Sequence, residues 1–113
     1  MIDKAIFASN YEIFDKEVVK EIMTIYVTEY PERMEKLEEA IIQGDFDQIY
    51  KRAHSLKGVT ANFFDKESEE FARVIEEKGR AKIGQGLLAD YKLLKASTDI
   101  LVVDLTKMST EYS

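Results

Sequence analysis

The chain has 113 residues, 45% of them hydrophobic, with a formal charge of −6 at pH 7, one histidine and no cysteine. This length fits one domain with one core, large enough to fold without a metal or disulfide staple. The missing cysteines exclude thiolate catalysis, iron–sulfur clusters and cysteine zinc sites, and an acidic chain without a basic stripe is a poor candidate for nucleic acid.

The opening Met1-Ile2-Asp3-Lys4-Ala5 lacks the basic stretch and apolar core of a secretory signal. No apolar run approaches the roughly 18 residues of a membrane span, so a soluble, cytoplasmic chain without membrane contact is expected. The initial methionine and compact length point toward a free-standing protein. One proline and five glycines leave few turns, and no stretch alternates with period two, so the predicted class is all-α. The whole chain, 1–113, reads as a single domain.

Residues 1–14 form a lid, with a short helix around Lys4 to Ala8 ended by Ser9-Asn10, and with Ile6, Phe7, Tyr11 and Phe14 packing on one bundle end. Asp15 caps the first bundle helix, about 15–43, where Phe14 and Val19 have the spacing of a hydrophobic staple. Val19, Ile22, Tyr26, Tyr30, Met34, Leu37 and Ile41 keep helical phase straight through Pro31. One long helix, kinked near that proline and ended by Gly44, is therefore expected rather than two.

Asp45 caps a second helix, about 46–63, with Phe46, Ile49, Ala53, Leu56, Thr60 and Phe63 inward. Asp65 caps a third, about 66–78, with Phe71, Val74 and Ile75 inward, Glu69 paired to Arg73 and Gly79 as the stop. The fourth, about 86–110, carries Leu87, Tyr91, Leu94, Thr98, Leu101, Leu105 and Met108 in alternating steps of four and three. Short connections favour antiparallel neighbours, so the expected architecture is an antiparallel up-down-up-down four-helix bundle with a short N-terminal helical lid.

The sole histidine, His54, lies mid-helix in Ala53-His54-Ser55-Leu56-Lys57-Gly58. Residues three and four apart share a helix face, so Lys51, His54, Lys57 and Gly58 form one strip with Tyr50 and Ala61 at its ends. Ala53 and Leu56 point inward, which leaves the imidazole at the edge of the buried stripe and open to water. Gly58 costs its helix about 1 kcal/mol relative to alanine. Its place one turn beyond His54 clears room for a bulky partner rather than for a small molecule.

A neutral imidazole has a free ring-nitrogen lone pair and can attack phosphorus, and the Lys57 ammonium can pair with phosphoryl oxygens once they arrive. Lys51, Arg52 and Lys57 form a basic island free of acids from residue 48 to 64, suited to a partner whose active site is rich in carboxylates. Metal chemistry in a bundle draws on inward Glu-x-x-His pairs, and the residue three before His54 is Lys51, so no metal site is expected. No glycine-rich nucleotide motif appears, so ATP is not an expected substrate.

The segment from Ala53 to Gly58, with Ala61-Asn62 after it, closely resembles the histidine-containing phosphotransfer (HPt) domain of bacterial-type multistep phosphorelays. Tyr30-Pro31-Glu32-Arg33-Met34 through Leu37-Glu38-Glu39-Ala40 to Gly44-Asp45 resembles that family's first bundle helix, and Phe71-Ala72 to Ile75-Glu76 its third. The resemblance implies a two-component phosphorelay intermediate without kinase or ATPase activity of its own. It makes His54 the phosphoacceptor, Lys57 the phosphoryl-stabilising cation and Gly58 the clearance residue. The implied partners are response-regulator receiver domains, with a hybrid sensor kinase as a further candidate. The receiver supplies the aspartate, a lysine and the Mg2+ ion, so this chain, expected to be a monomer, binds no cofactor itself. One departure stands out: ten residues after the histidine, where the family usually has glycine, this chain has Phe64.

The bland readings are a polar surface histidine, a glycine that merely lets helices pack closely, and a solvated face at Lys51 and Arg52. The rival function is a non-catalytic helical adaptor that binds a receiver or partner helix without phosphate transfer.

Overall fold

The structure, a computed structural model, describes residues 2–111. Five helices follow in order: α1 (Lys4–Tyr11), α2 (Lys16–Gln43), α3 (Phe46–Ala61), α4 (Lys66–Ala81) and α5 (Leu87–Glu111). Among the described residues there is no strand.

Aspartates start the first four helices. Asp3, Asp15, Asp45 and Asp65 each accept a backbone N–H of the first turn through the side chain, a cap worth about 1 kcal/mol apiece. α2 runs unbroken through Pro31 for 28 residues, which at about 1.5 Å per residue accounts for the 42 Å long axis of the molecule. Gly44 then stops it in the left-handed region, at φ +68°, where a residue without Cβ carries little strain. α2 and α4 each lie against both α3 and α5, so the four long helices form a bundle in which every helix adjoins its chain neighbours.

The core combines aliphatic and aromatic side chains with a few paired hydroxyls. Met23, Leu37, Ile49, Leu56, Ile75, Leu94, Leu101 and Leu105 are fully buried. Tyr26 shares a 2.9 Å hydrogen bond with Thr60, while the Tyr30 hydroxyl lies 2.7 Å from both Thr98 and the Asp99 carboxylate. Burial pushes the Tyr26 hydroxyl up to about 12, and the Thr60 bond offsets only part of that.

α1 caps one end of this bundle. Phe7 is buried and stacks on Phe63 with centroids 6.0 Å apart, and Phe63 meets Tyr26 edge-on at 5.1 Å. Several local expectations need correction. α1 continues past Ser9-Asn10 to Tyr11, because the Asn10 amide donates to the Ile6 carbonyl instead of breaking the helix. Phe14 is half exposed and its ring lies 5.5 Å from that of Tyr11. On α2 Met23, outside the expected row, is fully buried, while Ile22 is partly buried and packs against the core as expected. Arg73 reaches Glu70 and Glu77 rather than Glu69, since its planar fork can engage one carboxylate on each side.

Two helix ends also differ from the sequence reading. α3 stops at Ala61, and Phe63 and Phe64 follow in tight turns onto the Thr60 and Ala61 carbonyls. Phe64 has φ +56°. The position where the related family carries glycine does require a left-handed backbone, which costs a larger residue about 1–2 kcal/mol. The Phe64 ring offsets that by packing on the core and edge-on against Tyr11. α4 passes through Gly79 and ends at Ala81, with Lys82 taking the left-handed turn. Gly79 is therefore not a stop.

Candidate functional site

α3 and α4 build the site together, and Gly79 explains how. A Cβ at this buried glycine would stand 2.8 Å from the Tyr50 backbone nitrogen and 3.0 Å from Ile49 Cγ2, the first too close for a side chain unless the backbone shifts. The missing Cβ lets α4 lie directly on the backbone of α3. One turn earlier on the same face of α4 stands Glu76, which this close approach carries up to the imidazole.

His54 Nδ1 lies 2.6 Å from Glu76 Oε2, and Lys57 Nζ donates to Glu76 Oε1 at 2.5 Å. The carboxylate is nearly closed off, 8% exposed, whereas the imidazole is 61% exposed. Burial pushes the Glu76 carboxyl up, but the hydrogen bonds and charges of Lys57 and His54 together outweigh that and hold it below the ordinary carboxylate range. An ionised carboxylate only accepts, so the hydrogen of the neutral ring sits on Nδ1. Nε2 then keeps its lone pair, with no protein partner among the described residues. Tyr50 stacks on the ring at 5.9 Å and 18°, which holds its plane.

The predicted strip is only partly assembled. Gly58 is exposed and a Cβ there would meet nothing within 4 Å, so its role is not close helix packing. Ala61, one turn on, is half buried at the end of α3. Lys51 is exposed and turned to Asp47 at 3.0 Å. Arg52 faces the α2 side, where it lines a cleft with Arg33 and Lys36. The basic island is therefore not acid-free in three dimensions: Asp47 occupies Lys51 and Glu76 occupies Lys57, while Arg52 lines one cleft with Lys51 and another with Lys36.

Sequence reasoning missed two residues. Glu76 left a signal, being a carboxylate among Ala72, Ile75 and Gly79 on the inward stripe of α4, where an ionised group needs a partner. Arg33 left none, because its contact with Ser55, 2.8 Å from Nη1 to Oγ, joins two helices. Among the described residues no group of three or more His, Asp or Glu side chains could hold a metal, and no helix is long and apolar enough to cross a membrane.

Comparison with known proteins agrees with this fold. The structure superposes on the crystal structure of histidine-containing phosphotransfer protein B (HptB) from Pseudomonas aeruginosa PAO1 with a TM-score of 0.90, covering 99% of this chain and 96% of that one. At 22% sequence identity that likeness establishes the fold. No curated protein sequence matches. The Hpt domain profile matches residues 21–103, most of the chain. The chain belongs to the Hpt domain family, the histidine phosphotransfer domains of phosphorelays.

Proposed function

We propose that His54 accepts a phosphoryl group from the phosphorylated aspartate of one receiver domain and passes it to the aspartate of another. The observation that carries this is an exposed imidazole whose Nδ1 is engaged by Glu76 and whose Nε2 has no partner among the described residues. The Nε2 lone pair forms the N–P bond while the aspartyl O–P bond breaks, its electron pair returning to the carboxylate. The Nδ1 proton stays against Glu76, which stabilises the positive charge the ring acquires, and handing the group on reverses these steps. Lys57 has further N–H donors besides the one on Glu76, and these serve the phosphoryl oxygens.

The aspartate, a lysine and Mg2+ come from the receiver, and this chain supplies no cofactor and hydrolyses no ATP. Receivers, free or within a hybrid sensor kinase, are the partners, met in the cytoplasm by a monomer. Incubation with a phosphorylated receiver and Mg2+ should place acid-labile, alkali-stable phosphate on the protein. His54→Gln should abolish that labelling with helical content unchanged, and retained labelling would refute the assignment. The adaptor reading expects a complex with a receiver and no label at all.

A further inference from the structure

α5 carries two apolar rows, and the bundle uses only one of them. The row from Leu87 through Leu94 and Leu101 to Met108 is buried. Ala89, Leu93, Ala96, Ile100 and Val103 make a second row in steps of four and three, all of it exposed. At about 100° per residue this second row fills an arc of roughly 80°, centred roughly 150° round the helix from the first. A surface helix ordinarily shows one apolar stripe and a polar back, yet on this back Leu93 is 53%, Ile100 50% and Val103 52% exposed. α2 and α4 lie on either side of α5, so the row faces directly away from the bundle and from α3.

Steps of four and three are the spacing of a coiled-coil seam, and this seam fits itself. Small residues alternate with large ones. Two copies of α5 laid antiparallel put Leu93 against Ala96 of the second copy, Ala89 against its Ile100 and Val103 against its Gly86, large on small in each layer. Charge then selects the direction. Lys92 and Asp99, seven residues apart, flank the row on one side, where Asp99 reaches Tyr30 of α2. Lys92 is exposed and has no carboxylate within ion-pair distance among the described residues, and the Asp99 side chain stays 47% exposed beside Lys95. In the antiparallel register Lys92 of each copy meets Asp99 of the other, twice by symmetry. Parallel helices would instead set Asp99 against Asp104 of the second copy, also twice, and like charges at such flanking positions oppose pairing.

We propose that this face pairs with a second copy of the chain, the two α5 helices packing antiparallel about a twofold axis near residues 94 and 95. The same patch then serves both copies, as closed twofold pairing requires. One helix per copy covers less than the ~1,200 Å² of a lasting interface. Single chains, the form that meets receivers above, therefore predominate in dilute solution, and pairs form where the protein is concentrated. The inference stands apart from the phosphotransfer reading, because α3 and His54 lie across the bundle from the seam.

The test is sedimentation equilibrium of the full chain from about 10 μM to about 1 mM, the range in which so small an interface associates. The average mass should rise from that of one chain toward that of two. Leu93→Asp combined with Ile100→Asp, both at exposed positions, should stay at one chain throughout with unchanged helical content. Lys92→Asp should weaken association about 5-fold or more and abolish its sensitivity to salt. The chain has no cysteine, so introduced thiols report the register: Leu93→Cys mixed with Ala96→Cys should form disulfide-linked pairs several-fold faster than Leu93→Cys alone. A wild-type mass of one chain at the top of the range would overturn the proposal and leave the face to a different helix. Undiminished association of the double aspartate variant would overturn the seam, and equal cross-linking in the two thiol experiments would overturn the antiparallel register.

Discussion

The contact between Glu76 and His54 invites replacement of one atom. In Glu76→Gln the side chain keeps its shape, but one carboxylate oxygen becomes an NH2 group. The wild-type carboxylate accepts from both His54 and Lys57, whereas the amide has one accepting oxygen and can serve only one of them. If the oxygen stays with Lys57, the NH2 faces Nδ1 and favours the tautomer with hydrogen on Nε2, the atom that must attack. A charge-assisted hydrogen bond contributes about 1.5–3 kcal/mol, and an imidazole this exposed recovers part of it from water, so about 1.5 kcal/mol is the apt figure. That corresponds to roughly a tenfold slower transfer at saturating receiver. KM should hold, because a carboxylate 8% exposed cannot meet the partner. Rapid-quench transfer gives the rate, and imidazole nitrogen shifts give the tautomer. A rate within twofold of wild type with the same tautomer would refute the positioning role. Glu76 also links stability to acid. Its folded pKa lies below the ordinary value, so its ionised form stabilises the fold above about pH 4.3, and that contribution is lost as pH falls through the folded value. Urea melts of Glu76→Gln should show a flatter acid limb.

Two glycines on neighbouring helices should respond with opposite sign. Gly79→Ala gains about 1 kcal/mol of helix propensity but drives a Cβ into the Tyr50 backbone, an overpacking cost of about 1–3 kcal/mol. A net loss of stability and slower transfer are expected as Glu76 moves off the ring, and a melt at or above wild type would contradict the close approach. Gly58→Gln meets no neighbour, so it should stabilise the fold by about 0.5–1 kcal/mol while weakening receiver docking, and a normal KM would remove Gly58 from the interface. In alkali, Tyr26 and Tyr91 are each pushed up to about 12, chiefly by burial, and Tyr30 is raised further. Their neutral forms therefore stabilise the fold below pH ~10, and stability should fall between pH ~10 and 12, which denaturant midpoints across that range would show.

The sequence was most informative where the residues concerned lie on one helix. His54, Lys57 and Gly58 sit within five consecutive residues of α3, and heptad spacing alone placed the buried row from Leu87 to Met108. It was weakest wherever two helices meet. Gly79 looked like a terminator because glycine ends many helices, and only the packing of α4 on Tyr50 shows it to be a contact residue. Arg52 does share a cleft with Lys51, but only the packing of α3 on α2 shows that Arg33 and Lys36 of the neighbouring helix join it. Phe64 marked a departure from the related family, but its left-handed backbone and the aromatic contact that offsets the strain lie outside any local pattern.

On the role proposed for His54, the side of the ring on which Glu76 lies also bears on how long a stored phosphoryl group would survive. An imidazole 61% exposed leaves the phosphorus open to bulk water, so durability does not come from enclosure. Spontaneous loss would be quickened by a base poised to deprotonate a water in line with the N–P bond. The one carboxylate bonded to the ring lies behind it, at Nδ1, with both oxygens already engaged. Under that role the group would ride in the open, and the Glu76 carboxylate is not placed to hasten its loss to water.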